Sequence, residues 1–250
     1  MQSKENIIKK IKQKKELAGL ADIVVENCLN SYLKKYNLNL KNLSEKQLKI
    51  IIKELRAELR LLVGRFQKTT KARSLLDIKK LLKTHSSTSE RLQFYPKLRS
   101  IIKKLKPKSI LDLGCGLNPI ALANKNIVYH ASDINEDELS LIKEFFKKNK
   151  IKGNVFVCDL RNLKTKNNLP KADLCLILKV LDIIGKKHAE EIITKVPCKK
   201  LIVSFATRKL SGKKMNHPRR IWFESLLERL NYNFEVFNSD NEVFYSIEKD

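Results

Sequence analysis

The chain has 250 residues, 42% of them apolar, enough for one large domain or for a core domain with an extension. Its formal charge of +25, from 52 Lys and Arg against 27 Asp and Glu, points to a polyanionic partner. The longest purely apolar run, Leu174-Cys-Leu-Ile-Leu178, is too short for a membrane span, and the basic start MQSKENIIKKIKQKK lacks the apolar core of a signal peptide. The five cysteines are scattered with no CxxC pair, so no metal site and no disulfide framework is expected. Reduced thiols fit a cytoplasmic chain.

Charge is unevenly spread. The first 108 residues hold 28 Lys and Arg against 9 Asp and Glu, a net +19, and the rest of the chain only +6. A lysine-favouring codon bias would raise both halves alike. Residues 5–36 read as two helices broken near Gly19. Ser44 and Gln47 stand in capping-box register at the start of the next helix. There Leu48, Ile51, Ile52, Leu55, Leu59 and Leu62 form one apolar face. Lys46, Lys49, Lys53, Arg56 and Arg60 form a second stripe, roughly 110° round from the first at ~100° per residue. Such a stripe can track a phosphate backbone by displacing condensed counterions, or it can be the solvated face of an ordinary helix. A further helix is expected over about 72–84. Ser86, Ser87 or Thr88 can cap a helix carrying Glu90 and Arg91, and Pro96 can open one running to about Leu105. This sets a division into a helical basic unit, 1–84, and a second domain, 85–250.

From Ser109 the pattern alternates strand and helix, which predicts an α/β fold with a mostly parallel sheet of seven strands. Strands are expected at about 109–113, 127–132, 154–158, 173–178 and 200–206. Helices are expected near 118–124, 136–149, 187–195 and 218–230. Phe234–Phe237 and Val243–Ile247 read as a terminal hairpin. In such sheets ligands bind at the carboxyl ends of the strands, where strand order reverses. The first strand carries Asp112 near its end and runs into Gly114-Cys-Gly116, a turn that frees backbone N–H groups for a ligand. A dinucleotide site would want a third glycine where Pro119 stands. Asp133, with Ile134, ends the second strand and can accept ribose hydroxyls. Asp159, with Leu160, follows the third and can accept from an adenine amino group. Together these features resemble the Rossmann-like S-adenosylmethionine-dependent methyltransferases.

A narrower resemblance rests on His85-Ser-Ser-Thr-Ser-Glu-Arg91, Cys115-Gly-Leu-Asn-Pro-Ile-Ala-Leu122, Leu178-Lys179, Val203-Ser-Phe, Leu210-Ser-Gly-Lys and Trp222-Phe-Glu-Ser225. Over residues 84–226 the chain resembles the aminoglycoside-resistance 16S rRNA methyltransferases, in the branch that methylates guanine N7 in the decoding site. The resemblance implies S-adenosyl-L-methionine as cofactor and the small ribosomal subunit, through its 16S rRNA, as partner. It implies that Arg91 holds the methionine carboxylate, a bidentate charge-assisted contact, beside His85, Ser86 and Ser87. Leu178 would line the same pocket. Residues 1–83 match that family in character only. A monomer is expected.

The missing motifs agree with this branch. Amine methylation of adenine usually uses an Asn/Asp-Pro-Pro-aromatic segment after the fourth strand, where this chain has Leu178-Lys-Val-Leu181. Cytosine C5 methylation needs a cysteine nucleophile, and the Pro197-Cys198 pair precedes the fifth strand. Guanine N7 has a lone pair and no proton, so it needs no general base, and catalysis reduces to positioning. Adenine N1, another structured RNA, or a non-catalytic RNA-binding module remain the alternatives. No residue stands out as catalytic, and Lys179, at a strand end beside the expected target, is the candidate. Arg208, Lys209, Lys213, Lys214, Arg219 and Arg220 form a basic loop on the cofactor edge. Trp222 after it can either stack on an extruded base or pack into the core.

Overall fold

A computed structural model of the chain describes residues 3–63, 75, 77–163, 169–208 and 212–249. Three helices come first, α1 (Lys4–Lys12), α2 (Asp22–Lys35) and α3 (Glu45–Val63). They bury Ile7, Ile11, Val24, Leu29, Ile51, Leu55 and Leu59 in a core of their own. The break between α1 and α2 runs from Gln13 to Ala21 and contains a short 3-10 turn at Lys15–Leu17, so Gly19 lies near its end. Ser44 and Gln47 exchange the two expected bonds at the start of α3: Ser44 N–H donates to Gln47 Oε1 at 2.8 Å and Gln47 N–H to Ser44 Oγ at 3.3 Å.

Helices α4 (Ile78–Lys83), α5 (Ser86–Arg91) and α6 (Tyr95–Lys104) lead into the sheet. The expected helix over 72–84 is described only from Ile78, capped by Asp77, and its first residues lie outside the described ones. The cap of α5 differs from expectation. His85 occupies that position without a side-chain cap bond. Ser86, Ser87 and Thr88 sit inside the first turn, where Thr88 Oγ1 instead donates to Leu82 O, joining α5 to α4.

The strands are β1 (Ser109–Leu113), β2 (Val128–Asp133), β3 (Val155–Val157), β4 (Leu174–Leu178), β5 (Lys200–Ala206), β6 (Asn233–Asn238) and β7 (Glu242–Glu248). The helices between them are α7 (Asn118–Leu122), α8 (Glu136–Asn149), α9 (Leu181–Ile184), α10 (Lys186–Lys195) and α11 (Ile221–Arg229). The short α9 has no counterpart in the sequence reading, and α11 begins three residues later than the expected 218. The sheet has seven strands in the order β3-β2-β1-β4-β5-β7-β6, with β1 to β5 parallel and β7 antiparallel to both neighbours. Period-2 alternation sorts the strands onto two cores. Ile110, Leu174, Leu176 and Ile202 face α6, α7 and α8, whereas Leu111, Cys175, Ile177, Leu201 and Val203 face α10 and α11. Strand order reverses between β1 and β4, so the cleft opens at the carboxyl ends of these strands. Among the described residues no helix is long and apolar enough to cross a membrane.

Candidate active site

The carboxyl ends of β1 to β4 open into one cleft of about 770 Å³, including space open to solvent. His85, Ser87, Gly114, Gly116, Asp133, Ile134, Asp159, Leu160, Leu178 and Lys179 line it. The structure thus gathers most of the cofactor residues expected from the sequence. Leu62 and Val63 from the end of α3 line it as well. Their place here is not legible in the sequence, because helical periodicity does not say where the end of α3 docks.

The glycine turn is a cradle built for close approach. Gly114 and Gly116 have φ of +64° and +49°, a region where a side chain is strained. A Cβ on Gly114 would lie 2.6 Å from Val180 Cγ2, and one on Gly116 2.9 Å from the His85 ring. His85 therefore closes over the turn, and Ser87 Oγ lies 3.1 Å from its Nδ1. Gly116 N–H donates to Asp133 Oδ2 at 2.8 Å, while Ile134 and Asn135 N–H donate to Oδ1 at 2.7 and 3.0 Å. Burial pushes the Asp133 carboxyl up, against the three backbone N–H groups that hold it down. Asp159 is more fully engaged. Its oxygens accept from Arg161 N, Nε and Nη2 at 3.0–3.1 Å and from Asn162 Nδ2 at 3.2 Å. Beneath the turn, Asp112 is fully buried. Tyr129 Oη donates to its Oδ2 at 2.7 Å, and among the described residues its Oδ1 has no partner. Burial pushes this carboxyl up to about 7.

Arg91 lies beside the cleft and not on its wall. Its side chain is 1% exposed and forms a bidentate pair with Glu242, equally buried, at 2.9 Å (Nε–Oε1) and 2.8 Å (Nη2–Oε2). Its Nη1 donates to Asn118 Oδ1 at 2.6 Å, an atom shared with Tyr95 Oη. Three of the five guanidinium N–H groups are used in this way. Glu242 also accepts from Ser204 Oγ at 2.7 Å and lies 3.5 Å from Lys179 Nζ. Burial opposes its charge, but Arg91 and Lys179 hold its carboxyl below the usual range. Lys179 Nζ is 2.5 Å from Glu90 Oε2. The Lys179 backbone has φ +61°, and its N–H is fixed on Ser204 O and Oγ at 3.0 and 3.2 Å. A left-handed lysine held this firmly at a strand end stores roughly 1–2 kcal/mol of strain. Glu242 escaped the sequence reading, because the hairpin shows β-periodicity but not that β7 inserts beside β5.

The basic residues divide into paired and unpaired. On α3, Lys46, Lys49 and Lys53 are exposed with no ion pair among the described residues. Arg56 instead donates to the carbonyls of Lys10 and Ile11 at the end of α1, and Arg60 Nε pairs with Glu16 at 2.6 Å. In the late loop, Arg219 pairs with Glu224 and Arg220 with Asp182, each at 2.7 Å. Arg208 Nε donates to Asn241 Oδ1 at 2.6 Å, while Lys213 and Lys214 are exposed. Lys209, Leu210 and Ser211 lie outside the described residues. Trp222 is half-buried, edge-on to Phe205 and Phe223 with centroids at 5.8 and 5.5 Å, and Lys186 Nζ lies 5.5 Å from its ring.

The ribosomal RNA methyltransferase (FmrO) family model matches residues 50–245. A 16S rRNA (guanine(1405)-N(7))-methyltransferase of Serratia marcescens is 31% identical over 183 residues, covering 69% of this chain and 70% of that one. A protein of the same name from Frankia casuarinae is 26% identical over 187 residues, covering 69% of this chain and 64% of its own length. Among solved structures, the 16S rRNA methyltransferase RmtF in complex with S-adenosyl-L-homocysteine superposes with TM-score 0.81 at 22% identity, covering 100% of both chains. The 16S rRNA methylase RmtB superposes with TM-score 0.78 at 23% identity, covering 99% of each. The sheet order and the glycine-turn cleft define a Rossmann-like methyltransferase. Within that class, the chain belongs to the ribosomal RNA methyltransferase (FmrO) family.

Proposed function

We propose that the chain is an S-adenosyl-L-methionine-dependent methyltransferase that forms N7-methylguanine in the 16S rRNA of the small ribosomal subunit, at the decoding-site guanine numbered 1405 in the names of its relatives. The observation that carries this reading is the cleft itself: a two-glycine cradle that a Cβ would fill, flanked by carboxylates at the ends of β2 and β3. The cofactor fits these donors. Asp133 would accept the ribose hydroxyls, and Asp159 and Leu160 would bound the adenine. His85, Ser86 and Ser87 would surround the methionine carboxylate, with Arg91 offering the donors that Glu242 and Asn118 leave.

Bound S-adenosyl-L-methionine supplies an electrophilic methyl group. Guanine N7 presents an in-plane lone pair and no proton, so the chain needs no general base and acts by orientation. Lys179 stands at the end of β4 with Glu90 and Glu242 neutralising it, so a cationic sulfonium can approach without facing an unpaired ammonium. We assign it to the target base or its phosphate. Lys46, Lys49 and Lys53 would contact rRNA phosphates, as would Lys213 and Lys214. Trp222, half-buried against Phe205, is assigned to the wall of the late loop. The enzyme would act as a cytoplasmic monomer, built of a docking unit over 1–84 and a catalytic unit over 85–250, and its expression would raise aminoglycoside resistance.

The test is transfer of a tritiated methyl group to purified small subunits, followed by strand cleavage at N7-methylguanine. Label at the decoding-site guanine is expected. Label on adenine N1 or another RNA would move the target, and no transfer to any RNA would overturn the reading.

A further inference from the structure

Two loops carry the carboxylates assigned to the cofactor, and the helical unit is fastened to both. The loop after β2 is held by backbone bonds. Ala21 N–H donates to Ile134 O at 3.0 Å, and Glu136 N–H donates to Gly19 O at 2.7 Å. The approach is tight enough that a Cβ on Gly19 would lie 2.5 Å from Asp137 Oδ2 and 2.8 Å from Asn135 Oδ1. The loop after β3 is held through Arg161. One face of its guanidinium meets both Asp159 oxygens at 3.0 Å, and Nη1 reaches Glu58 on α3 at 3.2 Å. Side-chain exposure rises along this chain of contacts, from 5% at Asp159 to 16% at Arg161 and 52% at Glu58, so the arginine is the more buried partner of the outer pair. The Cys28 thiol of α2 is packed beside it, pushed up to about 12 by burial and by Glu58. One turn beyond Glu58 on α3, Leu62 and Val63 form part of the cleft wall.

This arrangement differs from a docking domain tethered to an independent cofactor domain. The helix that carries exposed Lys46, Lys49 and Lys53 at one end walls the cofactor cleft at the other. We infer that Arg161 is a positioning residue that sets Asp159 for the cofactor through a strut to Glu58, and that α3 thereby couples rRNA docking to cofactor affinity. This rests on the proposed cofactor. Arg161 N, Nε and Nη2 and Asn162 Nδ2 supply two donors to each Asp159 oxygen, which fixes the carboxylate in one orientation at the cleft. Without the guanidinium, only the Arg161 backbone N–H and Asn162 Nδ2 still hold the carboxylate, one weak bond on each oxygen. Lysine in its place keeps the charge but has no planar fork to span both oxygens and Glu58. Coupling must be reciprocal: if subunits tighten the cofactor, the cofactor tightens subunits by the same factor.

The experiment titrates S-adenosylhomocysteine calorimetrically into the full chain, alone and with saturating small subunits. The variants are Arg161→Ala, Arg161→Lys and Glu58→Gln, with Glu54→Gln as control on the same helix, where Glu54 meets Tyr32 instead. Without subunits, Arg161→Ala is expected to weaken binding roughly ten-fold, the scale of a lost charged hydrogen bond. Arg161→Lys should recover part of this loss. Glu58→Gln should weaken binding about two- to five-fold, as its exposed ion pair allows, and Glu54→Gln not at all. With subunits, the wild type should gain affinity and Glu58→Gln should lose most of that gain. Thermal midpoints are read in parallel, so that a loss of fold is separated from a loss of positioning. Wild-type affinity in folded Arg161→Ala would overturn the positioning role, and no gain with subunits in the wild type would overturn the coupling. A wild type that binds the cofactor but methylates no RNA would refute the proposed function, while the subunit-free titrations would still decide Arg161. A wild type that binds no cofactor would overturn both.

Discussion

Glu242→Ala tests whether the cation network beside the cleft is held by one residue. Glu242 is 1% exposed and carries contacts from Arg91, Lys179 and Ser204. Truncation leaves the Arg91 guanidinium buried, with Asn118 as its remaining acceptor. Breaking a buried pair by removing one partner costs ~3–5 kcal/mol. For a chain of this size 1 kcal/mol moves the thermal midpoint by roughly 2–4 °C, so a fall of about 6–20 °C is expected. Glu242→Gln keeps the shape and one acceptor oxygen, and should fall by less. The stabilisation also has a pH signature. The Glu242 carboxyl is held below its unfolded value, so its contribution is present above the unfolded pKa of ~4.3 and fades as pH falls through the lower folded value. Differential scanning fluorimetry between pH 3 and 8 would show wild type and Glu242→Ala converging at the acid end. A midpoint shift below about 2 °C at pH 7, or a difference independent of pH, would refute the reasoning.

Gly116→Ala places a Cβ at φ +49° and 2.9 Å from the His85 ring, so it should cost roughly 1–2 kcal/mol and abolish detectable S-adenosylhomocysteine binding; calorimetry and chemical denaturation read the two effects separately. Burial raises the Asp112 carboxyl to about 7, so its ionisation costs stability as pH rises from ~4 towards that value. Asp112→Asn should therefore flatten stability across this window, and parallel profiles for the two proteins would sink the assignment. Replacing Lys46, Lys49 and Lys53 together with Ala should reduce the salt dependence of subunit binding by roughly two to three in log–log slope. Cofactor binding in the absence of subunits should be unaffected, and an unchanged slope would place the rRNA elsewhere.

The central strands β1, β4 and β5 were legible because their burial is extreme. Leu174-Cys-Leu-Ile-Leu178 is buried throughout, and a short apolar run ending at a polar residue has few other readings. The glycine turn and Asp133 were legible for a related reason, since each ends a strand and must meet the cleft. Long-range partnership was not. The resemblance places Arg91 at a ligand carboxylate, and the fold gives it in addition a carboxylate of the chain itself, 151 residues away. No local pattern announces such a pair. The α3 stripe shows the same limit from the other side. Five cations share one helical face, but Arg56 and Arg60 bind α1 and Glu16, and only packing distinguishes them from the three lysines left to solvent. Arg161 stands two residues from Asp159, close enough to be noticed, but its reach to Glu58 depends on how α3 docks.

The position of β7 sets an order of events during synthesis. Arg91 is translated early and its counter-ion late, and at ~5–20 residues per second the 151-residue interval lasts roughly 8–30 s. Through that time the guanidinium must remain hydrated or borrow another partner, so the walls around it cannot close dry. The last strand also holds β6, which pairs with nothing else in the sheet. A nascent chain thus carries its glycine turn, both loop carboxylates and its basic helices before the cation beside them is neutralised. The site is therefore finished only once the β6–β7 hairpin, translated long after Arg91, has paired beside β5.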